Sequence, residues 1–142
     1  MPHKGKYMTI AETTPDLPQD FLVEERNKSN LIVEGNLLKA QGKFENAAAK
    51  FAAAATIEEQ LATFLISVNW WEKAYVHQFS AISCWAQAGD LYHAIQLGEQ
   101  FLNEAWLSSS QRQQVTHYLK TLRGRFMQWM NHWVTESPAV VV

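Results

Sequence analysis

Between Gln19 and Ser137 the chain carries no proline, and its apolar residues recur every three or four positions, the spacing of helices that are greasy on one side. A first helix is expected near 18–41, with Pro18 in the opening turn and Gly42 as a left-handed stop. Phe44, Ala47, Ala48, Phe51, Ala54, Ala55, Leu61, Phe64, Leu65 and Val68 then mark a second helix of about 25 residues. Asn69-Trp70-Trp71-Glu72 has the form of a capping box for a third, whose Trp71, Tyr75, Ile82, Trp85 and Ala86 share an arc and which Gly89-Asp90 ends. A fourth is expected from Leu91 to Ala105, with Ala94, Ile95, Gly98, Phe101 and Leu102 inward. Ser108-Ser109-Ser110 offers caps for a fifth, on which Val115, Tyr118, Leu119, Leu122, Phe126, Trp129 and Trp133 share a face. Turns this short place successive helices antiparallel.

Composition agrees. Hydrophobic residues make up 47% of 142 residues, enough for one core. Alanine, leucine, glutamine and glutamate outnumber valine and isoleucine in the proline-free span, which favours helix over strand. The expected organisation is a flexible segment over 1–17, one helical domain over 18–134 and a flexible tail over 135–142, with no period in the first fifteen residues or in Val140-Val141-Val142. Cys84 is the only cysteine, so no internal disulfide can form, and there is no zinc-type cysteine cluster. The polar opening to Pro18 is unlike an export signal, and the apolar run Leu61 to Trp71 is too short for a bilayer, which needs about 20 residues. A cytoplasmic protein with no membrane span is the expectation. The formal net charge is −2, yet Ser110 to Val134 holds Arg112, Lys120, Arg123 and Arg125 and no acid, leaving −6 elsewhere.

Leu31, Gly35, Leu38, Gly42, Phe44, Ala47, Phe51 and Ala54 follow the order and spacing of a helix-turn-helix unit in which small residues let backbones approach and rings fill the wedge. The sequence here resembles the tetratricopeptide repeat family. Trp85, Gly89, Leu91 and Ala94 match it again, while Ile82, Gly98 and Phe101 depart from it. The turn glycines lie 89 − 42 = 47 residues apart, which calls for elongated middle helices. The resemblance implies an all-α fold, a short stack of about five antiparallel helices in hairpins, with Phe44 and Phe51 as wedges and the fifth helix as a cap. It also implies a concave groove lined by Ser29, Ile32, Asn36, Lys39 and Ala40 from the first unit and Val76, Phe79, Ser83, Ala86 and Gln87 from the second. The family's clamp for a terminal carboxylate wants a lysine where this chain has Ile32, so another ligand class is implied.

Chemistry is harder to place. Lys73, His77, Ser80 and Cys84 fall on one ridge of the third helix, but His77 and Cys84 stand about 10 Å apart along the axis, too far for proton transfer. No carboxylate lies one turn from His77 on its own helix, and the ridge reads as a solvated face. His93, His117 and His132 lack partners at metal-binding spacing, and no HExxH, phosphate loop or GxSxG occurs. No catalytic residue, metal or cofactor is expected.

The fifth helix carries a basic ridge, Arg112, Thr116, Lys120, Arg123 and Met127, suited to an acidic partner; its few charges make a weak footprint for nucleic acid. Trp129, Met130 and Trp133 near its end form either a dimer interface or a seat against Phe101, Leu102 and Trp106. The expected function is a non-catalytic scaffold that binds a peptide or helix of another protein through Ile32, Asn36, Lys39, Val76, Phe79 and Ser83, with Arg112, Lys120 and Arg123 adding specificity. The alternative is a structural homodimer joined by the C-terminal helix, and the third reading is a small-ligand or enzymatic helical protein.

Overall fold

The computed structural model describes residues 17–136. Within them lie five helices and no strand: α1 (Gln19–Ala40), α2 (Phe44–Ser67), α3 (Trp71–Gln87), α4 (Leu91–Phe101) and α5 (Ser109–Glu136). Each helix packs on the next along the chain, and α3 also touches α5. The expected frayed segments, apart from 17 and 135–136, lie outside the described residues.

The first three turns are built alike. Gly42, Asn69 and Gly89 all have positive φ, at 77°, 59° and 84°. In each, the residue after the left-handed one donates its N–H to a carbonyl five positions back, Lys43 to Leu38, Trp70 to Leu65 and Asp90 to Trp85, at 2.9 to 3.0 Å. The left-handed residue donates three positions back, to Lys39, Ile66 and Ala86. Both bonds together are the Schellman closure, which satisfies carbonyls that a helix end would otherwise orphan. Lys43, Trp70 and Asp90 then open the next helix with nearly the same backbone, φ near −90° and ψ of 69° to 77°.

Asn69 therefore does not cap α3. Its left-handed backbone closes α2, a role asparagine tolerates better than other residues with a Cβ, and Trp70, the residue that opens α3, makes no side-chain cap. Of Lys43, Trp70 and Asp90, only Asp90 caps with its side chain, its Oδ1 accepting from the His93 N–H at 3.1 Å.

The fourth connection is different. Helix α4 ends at Phe101 instead of running on to Ala105; past it, Asn103 and Glu104 donate three residues back, and the Arg112 guanidinium reaches back from α5 to donate to the carbonyls of Leu102 and Glu104. Ser108 accepts from the Gln111 N–H while the Gln111 side chain accepts from the Ser108 N–H, both at 3.0 Å. That reciprocal pair is the capping box that starts α5.

The core has three linked clusters. One, centred on Ala54, Ala55 and Cys84, joins α2 to α3, with Leu31 and Ile32 of α1 laid over it. A second gathers Phe21, Leu61, Leu65 and Ala74. The largest runs from Ala81 and Ile82 through Ala94, Leu97 and Phe101 to Val115, Leu119 and Leu122. Backbone proximity depends on two glycines: a Cβ on Gly35 would stand 3.0 Å from the Phe51 ring, and one on Gly98 would stand 2.5 Å from a Leu119 methyl.

Of the four positions expected to wedge the first hairpin, Gly35, Ala47 and Phe51 are buried, but Phe44 is 66% exposed. It sits in the first turn of α2, where the three-residue linker leaves it beyond the end of α1. The ridge expected to face water is the other correction. His77 and Cys84 are buried, since α1 and α2 both pack against that side of α3.

Candidate functional site

A buried polar cluster lies where α1, α2 and α3 meet. Glu58 of α2 is fully buried, and its Oε1 stands 2.6 Å from His77 Nδ1 of α3. His77 Nε2 faces Glu25 Oε2 of α1 at 3.2 Å. Glu25 also meets Lys73 Nζ at 3.3 Å, and Glu58 Oε2 meets Lys28 Nζ at 3.7 Å. Basic and acidic side chains alternate along the row Lys28, Glu58, His77, Glu25, Lys73. The imidazole thus stands between two carboxyl groups, one ring nitrogen facing each. Phe21 sets its ring edge-on to the imidazole at 6.0 Å, closing one side.

Cys84 lies behind this row. Burial pushes its thiol up to about 11, with the Glu58 carboxylate adding to the rise and Lys28 opposing it. A thiolate, the nucleophilic form, is therefore disfavoured. Both His77 nitrogens are engaged, so neither group is turned toward a substrate; the cluster works as a polar rivet between three helices. Among the described residues no group of three or more His, Cys, Asp or Glu is placed to hold a metal ion.

The neighbouring Glu59 points to the other flank of α2. Its Oε2 accepts from Trp85 Nε1 at 2.6 Å and lies 3.5 Å from His93 Nε2. The His93 and Trp85 rings stack at 3.9 Å. His93, unpartnered by sequence spacing, is thus held by residues of α2 and α3 and by Asp90 at 3.8 Å. Two successive glutamates link α2 to both of its sides.

The residues expected to line a groove are only partly brought together. Ile32 is half-buried over the Ala54, Ala55 and Cys84 cluster. Asn36 and Lys39 are exposed on α1, and Ser83 is half-buried on α3. Phe79 is covered: Tyr75 lies 5.8 Å away and Tyr118 of α5 stacks on it at 5.2 Å. Tyr75 is itself held by donating its hydroxyl to Gln114 at 2.5 Å, and burial raises its phenol above the ordinary value. Val76, 61% exposed, remains the one strongly exposed apolar side chain of the set.

The basic ridge does not join this groove. Arg112 is spent on the end of α4, and Arg123 pairs with Glu99 of α4 at 2.6 Å. Both turn to the α4 flank, whereas Tyr118 is the α5 residue that meets the groove. Lys120 is exposed and lines an open hollow of about 480 Å³ with Ser109, Arg112, Gln113, Thr116 and His117.

The end of α5 carries a run of exposed apolar side chains. Val115, Leu119 and Leu122 are buried against α4, but past them Met127, Trp129, Met130, Trp133 and Val134 are all exposed. They do not seat against Phe101, Leu102 and Trp106. Those residues are occupied elsewhere: Phe101 packs on Tyr75 at 5.7 Å and on Trp106 at 5.6 Å, and Trp106 stacks on Trp71 at 5.3 Å. Helix α4, with 11 residues against 28 in α5, runs out first. Phe126, Trp129 and Trp133 touch one another in series, at 5.9 and 6.3 Å.

Glu25, Lys28 and Glu58 carry the polar cluster and were not signalled as site residues by sequence motifs. One signal existed for Glu58: it falls between Ala54, Ala55 and Leu61, Ala62 on the buried stripe of α2, where a carboxylate needs a partner. Among the described residues no helix is long and apolar enough to cross a membrane. Compared with protein-family models, curated proteins and solved structures, the chain matches none.

Proposed function

We propose that the chain is a non-catalytic protein-binding module, a helical scaffold of tetratricopeptide-like build that docks a helix or peptide of a protein. The observation that carries this reading is the uncovered stripe at the end of α5. The face that is buried as Val115, Leu119 and Leu122 continues as Trp129, Met130 and Trp133 with nothing over it among the described residues. Water-exposed tryptophan and methionine in series are the side chains that contribute most at protein interfaces, and a helix face is what amphipathic partner helices pack against.

The reactive groups support the same reading, since His77 and Cys84 serve as structure. The α1/α3 groove is the weaker docking surface: Phe79 is already stacked by Tyr118, and Val76 alone offers a large uncovered apolar contact.

Affinity capture with purified chain tests the reading. Immobilised wild type should retain a defined polypeptide, either another protein or the chain itself. Trp129→Ser with Trp133→Ser should lose it at unchanged helical circular dichroism, and Ile32→Glu with Val76→Glu should keep it. Equal retention by the tryptophan variant would overturn the assignment to α5.

A further inference from the structure

We infer that the occupant of the α5 stripe is a second copy of this chain, paired antiparallel about a two-fold axis near Met130; this rests on the docking reading above. The first support is area. Met127, Trp129, Met130, Trp133 and Val134 are 57%, 51%, 42%, 58% and 49% exposed. Side chains of these sizes leave roughly 600 Å² of surface on one copy, so two copies bury about 1,200 Å², the lower bound for a specific interface.

The second is charge. A two-fold interface sets each residue against the same stretch of the other copy, so any cluster of one sign repels itself. Phe126 to Val134 contains no lysine, arginine, aspartate or glutamate, although the helix carries Arg123 and Arg125 just before it and Glu136 just after. Pairing about Met130 brings position i level with position 260 − i of the second copy. Trp133 then meets Met127, a rigid ring against a side chain that adapts its shape.

The third is geometry. The stripe extends beyond the end of α4, so among the described residues no other helix stands between two such ends. From Phe126 to Glu136 the last part of α5 is about 16 Å long, enough for about three turns of helix-on-helix contact.

Sedimentation equilibrium of the purified full chain over about 1 to 100 µM, a range that spans ordinary association strengths, tests the inference. Wild type should move from 16.2 kDa toward twice that mass as concentration rises. Trp129→Ser with Trp133→Ser should stay at the single-chain mass with unchanged helical circular dichroism, because neither ring is buried by the described residues of one copy. Lys43→Glu, exposed in the turn between α1 and α2, helices that do not pack on α5, should associate like wild type. A wild type that keeps the single-chain mass at every concentration overturns the second copy as occupant, and so does a tryptophan variant that associates equally. The first result leaves the docking reading standing if capture of another protein still requires the two tryptophans; loss of that requirement removes the docking reading as well.

Discussion

His77 is the residue on which three helices converge. Its two nitrogens face a fully buried carboxylate and a half-buried one, so removing the ring leaves Glu58 in an apolar interior with only the Lys28 ammonium, 3.7 Å away, to balance it. Stripping one partner from a buried charge pair costs about 3 to 5 kcal/mol. His77→Ala should therefore lose stability on that scale in urea unfolding, and Glu58→Leu placed in the same chain should restore part of it. A single-variant loss under about 1 kcal/mol would show that water reaches Glu58 after all.

The thiol beside it gives a pH signature. An exposed cysteine releases its proton near 9.0, whereas Cys84 in the folded chain holds it to about 11. The unfolded state thus binds fewer protons across that interval. The contribution of the buried thiol is fully present below the lower value and is lost as pH rises through the upper one. The difference in urea midpoint between wild type and Cys84→Ala should be flat up to about pH 9 and shrink steadily toward 11. A difference that is unchanged over the interval would contradict the burial of the thiol.

Neither feature could be read from α3 alone. The ridge of Lys73, His77 and Cys84 is polar enough to resemble a solvated face, and what buries it comes from Glu25, Lys28 and Glu58, 15 or more residues away in sequence on other helices. Helical periodicity reports which residues share a side; it does not report whether a second helix supplies charges to that side.

At the scale of elements, the helices and their order were legible because periodicity and breakers agreed. Gly42 and Gly89 stop helices as their sequence context implies, and Ser108 caps α5. Asn69 was misread because asparagine serves both as an N-cap and as a left-handed closer, and only backbone conformation separates the two. The end of α4 was not legible, since Asn103, Glu104 and Ala105 carry no breaker; the turn that replaces the last helical residues is held by an arginine ten residues on from Leu102, which no local pattern announces.

Phe44 and Phe51 show the same limit. Both fit the spacing of a wedge, yet one ring lies against Gly35 and the other lies in water. Phe51→Ala should cost about 3 to 5 kcal/mol, the range for a ring lost from a close-packed core. Phe44→Ala should fall within about 0.5 kcal/mol of wild type, as at most exposed positions. Thermal unfolding of the two variants side by side checks both, and similar losses would mean that the first turn of α2 packs differently from the structure described.

Across the whole molecule, stability depends on how the three core clusters communicate. Trp85 packs against both the α1–α3 cluster and the large C-terminal one. Trp106 packs against both the large cluster and the one around Phe21 and Leu65. Each ring also has a fixed seat, Trp85 by stacking on His93 and donating to Glu59, and Trp106 by stacking on Trp71. Because each helix packs chiefly on its sequence neighbours, an array of this kind unfolds as one unit only while the contacts between clusters outweigh the differences in stability among them. The wild type should show coincident transitions by circular dichroism and tyrosine fluorescence. Trp106→Ala removes the one ring that connects the 102–108 turn to the start of α3, so it should lose about 3 to 5 kcal/mol and also separate the two transitions, with α1 and α2 surviving to higher urea than α4 and α5. A destabilised variant whose transitions still coincide would show that Trp85 and the α3 backbone couple the clusters without it.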